Sequence, residues 1–236
     1  MSGIIGHRGL LLGGGAGGDP YWSSVVALLH LDGTNGSTTM TDQKGHTFTS
    51  RNGAALSTAQ QKFGPSSLLL NGSNQSIDSP TSTDWEMGSG DFTIEIFARP
   101  AASISSVQDL VIRWASYGFG LNTSAAGKIR GYVQSSGGGL SLVPDGATTI
   151  TPSVWHHIVL TRDGGTLRTY LDGAQEGSVA VSGSIDAISS TLYVGTEATS
   201  IRYWNGNLDE LRITKGVCRY PGGTTFTPPA APFPNS

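Results

Sequence analysis

The sequence predicts an all-β chain, a sandwich or jelly roll. Three observations carry that expectation. Short strand-like runs recur about every ten residues through residues 20–215, the spacing of an all-β sandwich. Turn signals separate them, among them Asn71-Gly72, Asp163-Gly164-Gly165 and Asp172-Gly173. Helical periodicity of useful length is absent.

Taken in order, "SVVALLHL" is a near-continuous apolar run of the kind a central strand carries. "SSLLLNG" and "SIDS" flank the Asn71-Gly72 turn. "DFTIEIFAR" alternates Phe92, Ile94, Ile96 and Ala98 against Thr93, Glu95, Phe97 and Arg99, and stops at Pro100. "DLVIRWA", "YGFGLN", "KIRGYVQ" and "GLSLVP" follow, then "VWHHIVLTR", "TLRTYLD", "EGSVAVSG", "STLYVGT" and "NLDELRIT". In "WHHIVLTR", Ile158 and Leu160 share one face while Val159 lies on the other, so this strand is apolar on both sides. His156 shares the face of Ile158, and Trp155 and His157 share that of Val159.

Two flanking segments read differently. Residues 1–19 hold Ile4, Ile5, Leu10, Leu11 and Leu12 around His7-Arg8, followed by "GGGAGG". A glycine tract cannot bury enough side chain to fix itself, so this segment is expected to be an arm that docks on another protein subunit. Glycine spacing lets Ile4, Ile5, Leu10, Leu11 and Leu12 lie against a neighbouring backbone, with Arg8 as the directed polar contact. Residues 216–236 carry five prolines and are expected to run as an extended tail along the domain.

Bulk composition excludes several classes. The chain of 236 residues suits one large all-β domain. Its 34 glycines, about twice the usual share, belong to turns and to the arm. A net charge of −3 without a basic cluster argues against nucleic acid. Cys218 is the only cysteine, so no intrachain disulfide forms. The run Leu10–Leu12 is too short for a signal peptide, no span reaches membrane length, and Ser2 excludes N-myristoylation. The expectation is a chain made in the cytoplasm, without membrane insertion.

"DFTIEIFARP", "WHHIVLTRDGGTLRTYLDG", "TLYVGT" and "WNGNLDELRITKGVCRY…FTPPAAPFP" resemble, in that order, successive strands of LamG-like domains of the concanavalin A-like lectin/glucanase superfamily. The resemblance covers about residues 24–234 and implies two curved antiparallel sheets packed face to face. The wording of the "RITKGVCRY" to "TPPAAPFP" ending resembles versions found in tailed-bacteriophage proteins. It implies a virion-surface protein, assembled as a homo-oligomer, with a trimer expected.

Candidate sites follow. His156 and His157 are adjacent on a strand, so they face opposite ways and cannot share one metal or catalytic centre. Glucanases of the superfamily place two carboxylates on one strand face, as retaining chemistry needs. Here Glu95 has no acidic partner at 97 or 100, Asp209 and Glu210 are adjacent, and Asp84 and Glu86 sit in a Gly/Ser-rich loop. No catalytic residue is therefore expected. The resemblance also implies one structural Ca2+, held by Asp32 and Asp209; the alternative is an Asp32-Gly33 turn and an Asp209–Arg212 pairing. For glycans, the candidate platforms are Trp114 with Tyr117 and Tyr203 with Trp204, since aromatic rings stack on apolar sugar faces. The alternative for one ring of each pair is core packing.

The resulting expectation is a non-enzymatic phage virion protein, a capsid decoration, head fibre or tail fibre. Its LamG-like adhesion domain, residues 20–215, would be anchored to other virion proteins through residues 1–19. The alternative is a lectin-like module whose main task is glycan recognition.

Overall fold

The computed structural model describes residues 18–116, 118–185, 189–197 and 201–236. Among these, sixteen strands form two antiparallel sheets, and helix is confined to three short 3-10 turns at Trp22–Ser24, Thr83–Trp85 and Pro221–Gly223. The strands are β1 (Val25–Leu29), β2 (Thr39–Thr41), β3 (Thr47–Arg51), β4 (Ala55–Ser57), β5 (Ser67–Asn71), β6 (Ser76–Ser79), β7 (Phe92–Pro100) and β8 (Gln108–Trp114). They continue as β9 (Gly118–Thr123), β10 (Ile129–Ser135), β11 (Gly139–Leu142), β12 (His156–Asp163), β13 (Thr166–Leu171), β14 (Ala174–Ala180), β15 (Leu192–Val194) and β16 (Asn205–Lys215).

The first sheet runs β14-β13-β12-β7-β16-β5-β4, with β1 pairing on the second half of β16. The second runs β11-β10-β9-β8-β15-β6-β3-β2. Alternation along each strand sends Ile94, Ile96, Ile158, Leu160 and Ile213 of the first sheet inward. They meet Ile77, Val111, Phe119, Leu121, Val133 and Leu192 of the second. This is the two-sheet antiparallel jelly-roll sandwich the sequence predicts.

The outward face of the first sheet is not open. Thr93, Glu95, Phe97, His157 and Arg212 point outward and are buried. Residues 217–236 cover them: Phe233 packs with Phe97 and Val25, and Tyr220 stacks on Phe226 at 3.7 Å between ring centroids. The Phe226 N–H donates to the Gly173 carbonyl at 3.0 Å. Gly173 has φ +84°, and a Cβ there would collide with the Phe226 carbonyl, so the tail and the tight turn between β13 and β14 fit only around glycine.

Beneath the tail lies a network of charges. Glu95 accepts from Arg212 Nε at 2.9 Å, from Tyr220 Oη at 2.7 Å, and lies 3.0 Å from His157 Nε2. Arg212 and Arg219 both reach Asp19, at 2.9 and 2.7 Å. Burial opposes ionisation of Glu95, but Arg212 ahead of His157 and Arg219 overcomes it and holds the carboxyl well below the usual range. Asp19 corrects the expected boundary of the arm at residue 19. It is buried, and its N–H donates to the Ser236 carbonyl, so Asp19 belongs to the folded body. Ile4, Ile5, Arg8, Leu10, Leu11 and Leu12 lie outside the described residues.

Candidate functional site

The outward face of the second sheet carries a continuous register row: Thr49 of β3, Asp78 of β6, Tyr193 of β15, Ile112 of β8, Gly120 of β9, Tyr132 of β10 and Leu142 of β11. At the β3–β6–β15 end lies a pocket of about 320 Å³, within the range of small-molecule sites. Tyr193 and Tyr203 line it with Asn52, Asn74, Thr196 and Glu197. Arg51 and Asp78 also line it, as a forked ion pair in which Arg51 Nη2 donates to Asp78 Oδ2 at 2.8 Å. Tyrosine faces beside amides and hydroxyls are the groups that hold a sugar.

At the other end, Trp114, Leu140 and Leu142 are exposed. Trp114 meets Tyr132 edge-on at 5.3 Å. The Tyr132 ring lies over Gly120, where a Cβ would collide with it. Between the two ends, Asp109 and Asn122 are buried, with Asn122 Nδ2 donating to Asp109 Oδ1 at 3.2 Å.

The four aromatic candidates separate. Tyr203 lines the pocket and Trp114 is exposed. Tyr117 lies outside the described residues. Trp204 is corrected: it is fully buried in the inter-sheet core, so its ring presents no face to a ligand. Alternation explains the split, because consecutive residues entering β16 point opposite ways.

His156, His157 and Glu210 are engaged in internal contacts. His156 bonds Asp172 at 2.6 Å and the Thr151 carbonyl at 3.1 Å, and His157 is sealed under the tail against Glu95. A bulge with Glu210 in the left-handed region, φ 49°, interrupts β16. Glu210 is thereby engaged with His30 Nδ1 at 2.7 Å and the Phe233 N–H at 3.0 Å.

The pair implied to hold calcium does converge on one region, but it falls short of a shell. Asp209 Oδ2 accepts from the Lys62 and Phe63 N–H groups at 2.8 and 3.2 Å, and its Oδ1 from the Glu210 N–H at 3.0 Å. Among the described residues no three His, Cys, Asp or Glu side chains gather as a metal site, whereas calcium needs six to eight oxygens. The oxygens of Asp209 are thus taken by three N–H donors. Burial pushes the Asp209 carboxyl up to about 8 against the pull of the two N–H groups, with Glu210 and Asp32 adding repulsion. Burial likewise pushes Asp109 up to about 7 against the Asn122 amide.

A carboxyl raised in this way holds its proton longer when folded. Its stabilising contribution is complete below the unfolded value near 4 and is lost as pH rises through the folded one. The melting temperature should therefore fall between about pH 4 and pH 8, and Asp209→Asn should flatten that fall. EDTA and calcium should leave the profile unchanged. A flat profile would contradict the buried carboxyls, and a calcium-dependent rise would restore the ion.

Comparison with known proteins adds a family model and a set of folds. A laminin G type model described as concanavalin A-like lectin/glucanases superfamily matches residues 71–218. Curated proteins give no significant match. The chain is similar to the binding domain of Paraclostridial Mosquitocidal Protein 1, with a TM-score of 0.69 at 18% identity, covering 85% of this chain and 51% of that one. It is similar to domain 4 of AbnA, a GH43 extracellular arabinanase from Geobacillus stearothermophilus solved with arabinotriose. That match has a TM-score of 0.60 at 18% identity and covers 82% and 93% of the two chains. The binding domain of botulinum neurotoxin DC, solved with SialylT, gives a TM-score of 0.59 at 10% identity over 84% and 50%. The chain thus spans about half the length of the toxin binding domains. At these identities the likeness concerns the fold.

Proposed function

We infer that this chain, which belongs to the concanavalin A-like lectin/glucanases superfamily, is a non-enzymatic glycan-binding domain. The observation that carries the reading is the tyrosine-lined polar pocket on the outward face of the second sheet. Two solved proteins of similar fold, domain 4 of AbnA with arabinotriose and the botulinum neurotoxin DC binding domain with SialylT, support the same direction. The absence of a catalytic role is part of the proposal. It is supported by the engagement of Glu95, Asp209 and Glu210 in internal contacts, since glycoside hydrolysis needs two carboxylates facing one bond.

The same reading places the domain on a phage particle, attached through residues 1–17 to other virion proteins, in a symmetric oligomer. One feature favours such a division of labour. Asp19 lies on the tail-covered face of the first sheet, whereas the pocket opens on the opposite side of the sandwich. An arm and a ligand could then engage different surfaces at once.

One pair of samples tests both parts. The full-length chain should bind a neutral oligosaccharide, and the chain lacking residues 1–17 should bind it with the same affinity while failing to join particles stripped of this protein. Equal attachment by the shortened chain would move the docking surface onto the sandwich. Absence of glycan binding in both would remove the lectin reading.

A further inference from the structure

We propose that the Arg51–Asp78 ion pair makes the pocket selective for uncharged glycans and excludes acidic ones. This deepens the glycan-binding reading and rests on it.

An acidic sugar, such as a sialic or uronic acid, is recognised when a cation offers its donors to the ligand carboxylate. Arg51 is the cation lining this pocket, and its side chain is half exposed. Its Nε–Nη2 edge is already occupied by Asp78, through one contact from Nε to Oδ1 and a second of 2.8 Å from Nη2 to Oδ2. Asp78 is nearly buried, so its charge stays beside the guanidinium and cancels it.

The placement follows from the strands. Ser76 and Asp78 of β6 point outward because Ile77 between them points into the core. Arg51, at the end of β3, stands opposite Ser76 on that same face. The second acid of the pocket, Glu197, lies 3.6 Å from Arg202, so this part of the wall offers a ligand carboxylate no uncompensated cation from that pair. A ligand carboxylate would meet a guanidinium whose charge Asp78 already offsets, and would approach Glu197. The remaining groups, Asn52, Asn74, Ser76, Thr191 and Thr196, are neutral and suit hydroxyls that both donate and accept.

Asp78 is thus a specificity-determining residue, and its removal should change what the pocket takes. Asp78→Asn keeps the shape, releases the Arg51 fork and removes one negative charge. The test is calorimetric titration of the full-length chain with arabinotriose, maltotriose and cellotriose as neutral probes, and with 3′-sialyllactose and trigalacturonate as acidic ones. The wild type should bind at least one neutral probe about tenfold or more tighter than either acidic one. Asp78→Asn should tighten binding of an acidic probe about tenfold, and adding Arg51→Gln should abolish that gain.

The wild-type comparison needs no variant and stands if Asp78→Asn fails to fold. Equal or tighter wild-type binding of acidic probes would overturn the selectivity while leaving glycan binding intact. A folded Asp78→Asn that discriminates as before would do the same. If the wild type binds no probe of either class, the glycan-binding reading falls and the selectivity falls with it.

Discussion

Glu95→Ala should destabilise the domain by about 3–5 kcal/mol, the usual cost of leaving a buried charge without its partner. Glu95 is fully buried and is the one acceptor shared by Arg212, Tyr220 and His157. Its loss leaves the Arg212 guanidinium with Asp19 alone, under a tail that brings Phe233 within 3.8 Å of it. The effect should extend beyond the site. Tyr220 Oη would lose its acceptor, so residues 217–236 should become open to proteolysis at temperatures where the wild-type chain resists.

Equilibrium denaturation and limited proteolysis of the two chains check this together. A change within about 0.5 kcal/mol, the range of ordinary surface substitutions, would show that the tail is held by its aromatic contacts alone. The network also sets acid behaviour. Burial disfavours the charged forms of Glu95 and Asp19, yet arginine contacts hold both below their usual ranges, so their contribution is present above those ranges and lost as pH falls through them.

The second large effect separates two neighbours. Trp204→Ala should cost about 3–5 kcal/mol, because it removes a fully buried indole from the inter-sheet core and leaves a cavity. Below its melting point the variant should still bind sugar. Tyr203→Ala should change stability by less than about 1 kcal/mol and weaken sugar binding about tenfold, the worth of one aromatic contact. Thermal melts and titrations on both variants give four numbers. Loss of sugar binding in folded Trp204→Ala, together with unchanged binding in Tyr203→Ala, would invert the assignment made from burial.

The fold was legible because alternation and turn residues agree along most of the chain. "DFTIEIFAR" becomes β7, and "VWHHIVLTR" becomes β12, buried on both faces as its pattern requires. What escaped were β2, β3 and β4. "TMT", "TFTSR" and "ALS" are short and rich in Thr and Ser, a composition shared with loops, and their one or two apolar residues are too few to display a period. The cost fell on the site, since β3 supplies Arg51 and borders the pocket.

Asp78 and Tyr193 were hidden for a different reason. They pair across β6 and β15, about 115 residues apart in sequence, and only the register of the sheet brings them together. Tyr203 and Trp204 were found as aromatics, but which of them faces ligand depends on the phase in which the chain enters β16. A one-residue shift of that phase would have exchanged their fates. The bulge at Glu210 is likewise silent in "NLDELRIT", where simple alternation would continue through the acids.

The most direct test of the glycan pocket is an NMR titration of the labelled full-length chain with the neutral trisaccharide that binds best. Binding in the pocket predicts that the amides shifting with ligand gather at Arg51, Asn52, Asn74, Asp78, Tyr193, Thr196 and Tyr203. Shifts gathered instead around Trp114, Leu140 and Leu142, or no shifts at saturating ligand, would contradict it.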